Sequence, residues 1–170
     1  FGITGNVNYT YNSRYYVDFS YRMDGNSSYG SDKKYAPFWS AGIGWNLHNE
    51  KILKDNGIVN MLRLKASYGE TGAASGAEET DAYTYYKYIN DNRYMSWNGA
   101  ALGGFGNPDL SWQTTKEMNI GTEFGLLDNR IKGSFEIYTK KTNNLLSSMD
   151  LPLSMGFPSY RANIGEVENN

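Results

Sequence analysis

Polar and apolar side chains alternate one by one from the start of the chain: Ile3, Gly5, Val7, Tyr9 and Tyr11 fall on one side, Thr4, Asn6, Asn8 and Thr10 on the other. A period of two is the mark of a β-strand with one apolar and one wet face. Residues 15–24 repeat it, setting Tyr15, Val17, Phe19, Tyr21 and Met23 against Tyr16, Asp18, Ser20, Arg22 and Asp24. Asn12, Ser13 and Arg14 between them are polar turn residues, so the two stretches are predicted to form a tight hairpin.

The pattern predicts four more strands. Residues 38–47 place Trp39, Ala41, Ile43, Trp45 and Leu47 opposite Ser40, Gly42, Gly44 and Asn46. Residues 62–69 place Leu62, Leu64, Ala66 and Tyr68 opposite Arg63, Lys65, Ser67 and Gly69. In residues 113–126, Met118, Ile120, Thr122, Phe124 and Leu126 oppose Glu117, Asn119, Gly121, Glu123 and Gly125. In residues 131–140, Ile131, Gly133, Phe135 and Ile137 oppose Lys132, Ser134, Glu136, Tyr138 and Lys140.

Connections alternate in length. Residues 25–37, 70–111 and 141–163 read as long polar loops, residues 12–14 and 127–130 as tight turns, and residues 48–60 as a longer turn with room for one helical turn. Strands of about ten residues, with short turns at one end and long loops at the other, are the pattern of a transmembrane β-barrel. No Lys, Arg, Asp or Glu interrupts the middle of an apolar row. A lysine or arginine at the bilayer midplane of a barrel's lipid face costs roughly 2–4 kcal/mol, which gives that exclusion a physical reason. A sandwich core would exclude charges too, so a secreted or surface β-sandwich that binds glycans without transport is the alternative. Detergent dependence separates the two, because Ile43, Ile120 and Phe135 face lipid in one and a second sheet in the other.

Composition then narrows the class. The mean hydropathy of -0.63 resembles that of a soluble protein, but half of every barrel strand faces water. No apolar run of about eighteen residues is present, which excludes a transmembrane helix and leaves strands as the means of crossing. Fifteen Tyr, four Trp, seven Phe and nineteen Gly fit a sheet edged by aromatic girdles. The absence of Cys excludes a disulfide framework and a thiolate metal site, and is compatible with exposure to the periplasm. A net charge of -2 gives no electrostatic footprint for nucleic acid. The chain starts inside a strand pattern with no signal-peptide features, as expected for a piece of something longer.

Several stretches together resemble the SusC/RagA-like TonB-dependent outer-membrane transporters of Bacteroidetes-type bacteria. Residues 21–27 (Tyr21-Arg22-Met23-Asp24-Gly25-Asn26-Ser27) are followed by a loop-to-strand segment, residues 35–45, in place of that family's P-S-x-S-x-G-W. Residues 62–72 are close to L-K-x-R-x-S-Y-G-x-T-G, residues 106–115 to G-N-P-x-L-x-W-E-T, and residues 163–169 to N-x-G-x-V-x-N. The departures are Phe38-Trp39-Ser40-Ala41 where Phe-Pro-Ser is more usual, and a stretch at residues 73–104 that matches no family pattern. The resemblance implies about six strands from the later part of a plugged, 22-stranded barrel in the bacterial outer membrane. It further implies energisation through the TonB complex, a SusD-like lipoprotein over the extracellular mouth, an oligosaccharide or peptide ligand, and no cofactor. The plug domain and the barrel's closing strand lie outside this chain on that reading.

Candidate chemistry is sparse. Tyr83, Tyr85, Tyr86, Tyr88, Tyr94 and Trp97, in the long second loop, offer flat faces beside hydroxyls, able to stack on sugar rings or pack peptides. The plainer role is packing of the loop against its neighbours or against the lipoprotein. Arg22, Arg63, Lys65, Glu117, Glu123, Lys132, Glu136 and Lys140 fall on the lumen side as a charged ladder, facing the plug or simply water. Catalysis is not expected. His48, the one histidine, reads as a turn residue; Glu78 with Glu79 reads as solvated loop; and Glu117 with Glu123 lies on a wet face without glycosidase geometry. Asn90, Asp91 and Asn92 lack the glycine and distal glutamate of an EF-hand, and no metal site is expected.

Overall fold

The alternating stretches become strands that pair with their neighbours through left-handed turn residues. Asn12 and Ser13 both take positive φ (50° and 55°), and the Arg14 N–H donates to the Tyr11 carbonyl at 2.9 Å. That is the primed turn whose twist suits a hairpin. Asp128 and Asn129 do the same at the second tight turn, with φ of 53° and 60°.

The computed structural model describes residues 1–30, 32–53, 57–74, 82–94 and 97–170, with backbone alone for residues 88–94 and 97–98. Its strands are β1 (Gly2–Tyr11), β2 (Tyr15–Gly25), β3 (Tyr35–Asn46), β4 (Val59–Ala73), β5 (Tyr85–Tyr94), β6 (Trp97–Gly104), β7 (Gln113–Leu126), β8 (Ile131–Asp150) and β9 (Ser159–Asn169). All pairings are antiparallel. The main sheet has seven strands in the order β1-β2-β3-β4-β7-β8-β9, and β5-β6 is a separate hairpin. β1 and β9 occupy its two edges and do not pair with each other.

Six strands were expected from the alternation, and the difference lies in the loops. β8 runs 20 residues instead of stopping at Lys140, and β9 fills much of what reads as loop and tail. Twenty residues at about 3.4 Å each exceed the nine to eleven that cross a bilayer, so β8 extends well into water. There both faces are wet and the alternation fades. Asn144, at φ 59°, forms a bulge that also interrupts the period. The stretch at residues 70–111 likewise contains β5 and β6 rather than loop alone.

One face of the sheet is apolar and uncovered. Val7, Val17, Ile43, Ile120, Phe135 and Ile137 are all exposed, Ile43 at 59 % and Phe135 at 62 %. A sandwich would bury them under a second sheet about 10 Å away, and among the described residues no such layer exists. Four of the six share one row across the strands: Val17 pairs with Ile43, Ile43 with Ala66, Ala66 with Ile120, and Ile120 with Ile137. Aromatics edge the band, with Trp39 against Tyr68 (5.7 Å between ring centroids) at the long-loop end and Tyr15 against Trp45 (5.9 Å) at the short-turn end.

The band also slips along the sheet. The row through Tyr21 and Trp39 reaches Glu70, Lys116, Lys141 and Glu168 on β4, β7, β8 and β9. At the other end, Phe124, Leu126 and Ile131 continue the apolar surface beyond the row of Tyr15 and Trp45. Strands tilted about 35–45° to a barrel axis produce this drift, since a row perpendicular to them climbs across the membrane.

Candidate functional site

The opposite face is polar and carries the charged residues in register. Arg63 faces Glu123 across β4 and β7, and Lys65 faces Gly121, beyond which lies Glu136 on β8. Because Gly121 has no side chain, Lys65 spans β7: it binds Glu123 at 3.2 Å and closes a second ion pair with Glu136. A Cβ on Gly121 would come within 2.9 Å of the Lys65 Cε. Arg63 completes the network, reaching Glu123 at 3.6 Å and donating from Nε to the Asn46 amide oxygen at 2.9 Å. Its guanidinium lies 6.0 Å from the Tyr16 ring.

Four of the eight expected ladder residues, Arg63, Lys65, Glu123 and Glu136, are therefore joined directly. Arg22 stands apart, paired with Asp24 at 2.7 Å. Glu117 and Lys140 are register partners whose ion pair stays open, and Lys132 makes none among the described residues. Of the pair Glu117 and Glu123, Glu123 is engaged by Arg63 and Lys65 while Glu117 stands opposite Lys140 in register.

Toward the long loops, the polar face becomes a groove of about 1030 Å³ whose walls include Ser20, Arg22, Asp24, Asn26, Phe38 and Trp112. Its floor is a small apolar core. Tyr29, Phe38, Leu110 and Trp112 are buried together, with Ala36, Ala74 and Leu146 against them. Tyr29, Leu110 and Trp112 come from loops folded inward onto Phe38 of β3. The Trp112 indole N–H donates to the Lys34 carbonyl at 3.3 Å, and the Gly30 N–H to the Leu110 carbonyl at 3.4 Å. Asn107 accepts from the Asp109 N–H at 3.0 Å and donates to the Arg161 carbonyl at 2.9 Å. Asn163 clamps the far side: it accepts from the Ser111 N–H and donates to the Ser111 and Asn144 carbonyls, at 2.9, 2.9 and 2.8 Å. Burial holds the Tyr29 phenol above its ordinary pKa. Sequence reasoning marked Leu110, Trp112 and Asn163 only as motif positions; a tryptophan two residues after a leucine in a polar loop was the available sign of a loop core.

Of the six aromatic candidates, Tyr83, Tyr85 and Tyr86 are exposed at the base of the β5-β6 hairpin, Tyr86 at 75 %. Tyr88, Tyr94 and Trp97 lie on its strands, Tyr94 pairing with Trp97 next to the tip, but their side chains fall outside the described residues. Glu78, Glu79 and the side chains of Asn90, Asp91 and Asn92 fall outside them as well. His48 sits in a short 3-10 turn (Leu47–Asn49) with Nδ1 against the Leu62 backbone, 3.4 Å from its N–H, a structural contact. Nearby, Glu50 accepts from the Tyr15 hydroxyl at 2.9 Å and the Trp45 indole at 3.2 Å, and pairs with Arg14 at 3.3 Å.

The chain and its fold are similar to known proteins. The chain is 40% identical over 170 residues to TonB-dependent receptor P3 of Formosa agariphila, covering 98% of this chain and 17% of that protein. It is 31% identical to TonB-dependent receptor SusC of Bacteroides thetaiotaomicron, over 97% of this chain and 17% of that one. The fold superimposes on the RagAB peptide transporter with a TM-score of 0.87 at 30% identity, covering 98% of this chain and 18% of that chain. The chain thus spans less than a fifth of the length of the relatives it matches. The family described as TonB dependent receptor-like, beta-barrel matches residues 1–170. The uncovered apolar band, the charged inner face and this full-length match make the chain a member of the TonB-dependent receptor β-barrel family.

Proposed function

We propose that this chain is a stretch of the barrel wall of an outer-membrane importer that draws oligosaccharides or peptides inward on energy delivered through TonB. The observation that carries the reading is the two-faced sheet: an uncovered apolar band belted by aromatics on one side, and on the other a charged wall opening into a groove at the long-loop end. The family membership and the likeness to a peptide transporter and to SusC support it. The plug and the TonB-contacting segment belong to the rest of the protein, and the chain has a positioning rather than a catalytic part.

On this reading the long loops face outward from the cell, and the exposed tyrosines of the β5-β6 hairpin meet the ligand or a SusD-like lipoprotein. Arg22, Ser20 and Trp112 then line the way into the lumen, while the network around Lys65 holds the wall's inner charges in place against the plug. The test is deletion of residues 85–104 in the full-length transporter, with growth on oligosaccharide or peptide as sole carbon source and lipoprotein co-purification as readouts. β4 and β7 pair directly along 14 rungs, so the barrel still assembles. Uptake is expected to fall at least tenfold, a loss of about 1.4 kcal/mol in ligand or partner binding. Unchanged uptake and unchanged partner retention would remove the hairpin from the transport pathway.

A further inference from the structure

The groove at the long-loop end of the lumen face holds an arginine that is aimed rather than loose. Asp24, two residues from Arg22 on the same face, is buried and accepts from the Arg22 Nε at 2.7 Å. Gly2 stands opposite Asp24 across β1 and β2, and a Cβ there would come within 2.6 Å of the Asp24 Oδ1, so a residue without a side chain leaves the carboxylate its place. With Nε fixed in this way, the Arg22 side chain is still 63 % exposed, and its Nη groups have no partner among the described residues. A guanidinium held by one edge presents the other as a flat fork, which grips a planar oxyanion through two parallel N–H bonds.

A second cation stands further out. The Asn26 N–H donates to the Lys34 carbonyl at 2.9 Å, one step beyond the pair Gly25 and Tyr35, so Lys34 keeps the parity of Phe38 and Ala36 and belongs to the lumen face. The Trp112 indole donates to the same carbonyl, which fixes the backbone from a second side. The Lys34 ammonium has no partner among the described residues.

Charge and reach say what this groove accepts. Arg22 and Lys34 line it with Asp24, which leaves one positive charge in excess on the lumen side. Glu70, also at the groove, stands in the row of Trp39 on the opposite face. One excess charge suits a singly charged group, and the arginine fork suits a carboxylate. Arg22 and the Asn26–Lys34 pair are four residues apart along β2, about 14 Å at roughly 3.4 Å each, so a cargo that touches both cations is a chain rather than a single sugar or amino acid. The linked hydroxyls of Ser20 and Ser40 and the rings of Phe38 and Trp112 line the same groove, polar and flat surfaces for the rest of such a chain.

We infer that the groove selects anionic cargo, Arg22 gripping a carboxylate of the chain and Lys34 supplying the excess positive charge that favours it. The inference rests on the import reading and names the cargo's charge.

The experiment measures binding to the purified full-length transporter by titration calorimetry, with two matched pairs of probes: trigalacturonate against its methyl ester, and a heptaalanine with a free C-terminus against its C-terminal amide. The acid of at least one pair should bind about tenfold tighter than its neutral form, as for a hydrogen bond to a charged group. Preference in the sugar pair assigns the carboxylate to uronates, and preference in the peptide pair to chain termini. R22Q/D24N keeps the net charge and leaves no buried carboxylate unpaired, yet should abolish the preference; K34Q should cut it to about threefold. Should R22Q/D24N fail to assemble, judged by heat-modifiable gel migration, K34Q reads the same site. Equal binding of acid and neutral forms by the wild type, no binding of either acid, or a preference untouched in both variants overturns the inference. An intact preference without energised uptake of the preferred acid would sink the import reading and leave the carboxylate site standing.

Discussion

At the scale of single residues, Glu50 shows how the short-turn end is fastened. Its carboxylate takes hydrogen bonds from the Tyr15 hydroxyl and the Trp45 indole and an ion pair from Arg14; these partners, the tyrosine foremost, hold its pKa below the ordinary carboxylate value. A depressed folded pKa means the stabilisation is complete above the unfolded value, about 4.3, and is lost as pH falls through the folded one. Protection against hydrogen exchange at residues 47–53 of the full protein, taken relative to the intrinsic rate at each pH, should therefore fall on acidification below about pH 4, and E50Q should show the lowered protection already at pH 7. A flat profile in the wild type would remove Glu50 as the fastener. At the other end, Trp112 is buried against Tyr29 and Phe38, with ring centroids at 5.0 and 5.7 Å. Trp112→Ala should cost about 3–5 kcal/mol, the range for truncating a buried aromatic. Protease nicking of residues 26–34 and 105–112 in the assembled full-length protein should rise while gel migration stays that of a folded barrel. Loss of the whole barrel would show that this core supports the wall as well as the loops.

At the scale of elements, legibility followed the solvent. β1, β2, β3 and β7 divide water from an apolar medium along their length, so Val7 against Asn8 or Ile120 against Asn119 announces a strand. Beyond the bilayer that contrast disappears. Lys141 to Asp150 shows no alternation, and the bulge at Asn144 inverts what little period remains, so the outer half of β8 and its partner β9 read as loop. β5 and β6 were hidden for another reason: Tyr85 to Tyr94 has aromatic and polar residues on both parities, so no face stands out from the period. Within the candidate site, the parity of Arg63, Lys65, Glu123 and Glu136 was visible, because a shared face follows from the period alone. Which of them touch was not. That depended on register, and on Gly121 leaving the path from β4 to β8 open. The Tyr29–Trp112 core was illegible because Tyr29, Leu110 and Trp112 come from separate loops packed on Phe38 of β3, and loop packing leaves no period.

At the scale of the whole molecule, the wall separates two media and each face records its own. Ile43 lies between Trp39 and Trp45 on the apolar face, 59 % exposed, with Gly42 and Gly44 turned to the lumen. Ile43→Arg should cost about 2–4 kcal/mol on folding into bilayers, falling toward about 0–1 for a charge placed near the interface at Tyr68. Urea titration of the full protein in lipid vesicles measures both; equal costs at the two positions would contradict the assigned depth. The direct pairing of β4 with β7 has one more consequence. The seam closes behind the β5-β6 insertion as though nothing had been inserted, and Leu110 and Trp112 lock the return of the chain on the inner side. Ala73 and Gln113 are partners across that seam, so the register of the wall is set without the insert, whose length and sequence are free to change while the hull stays as it is.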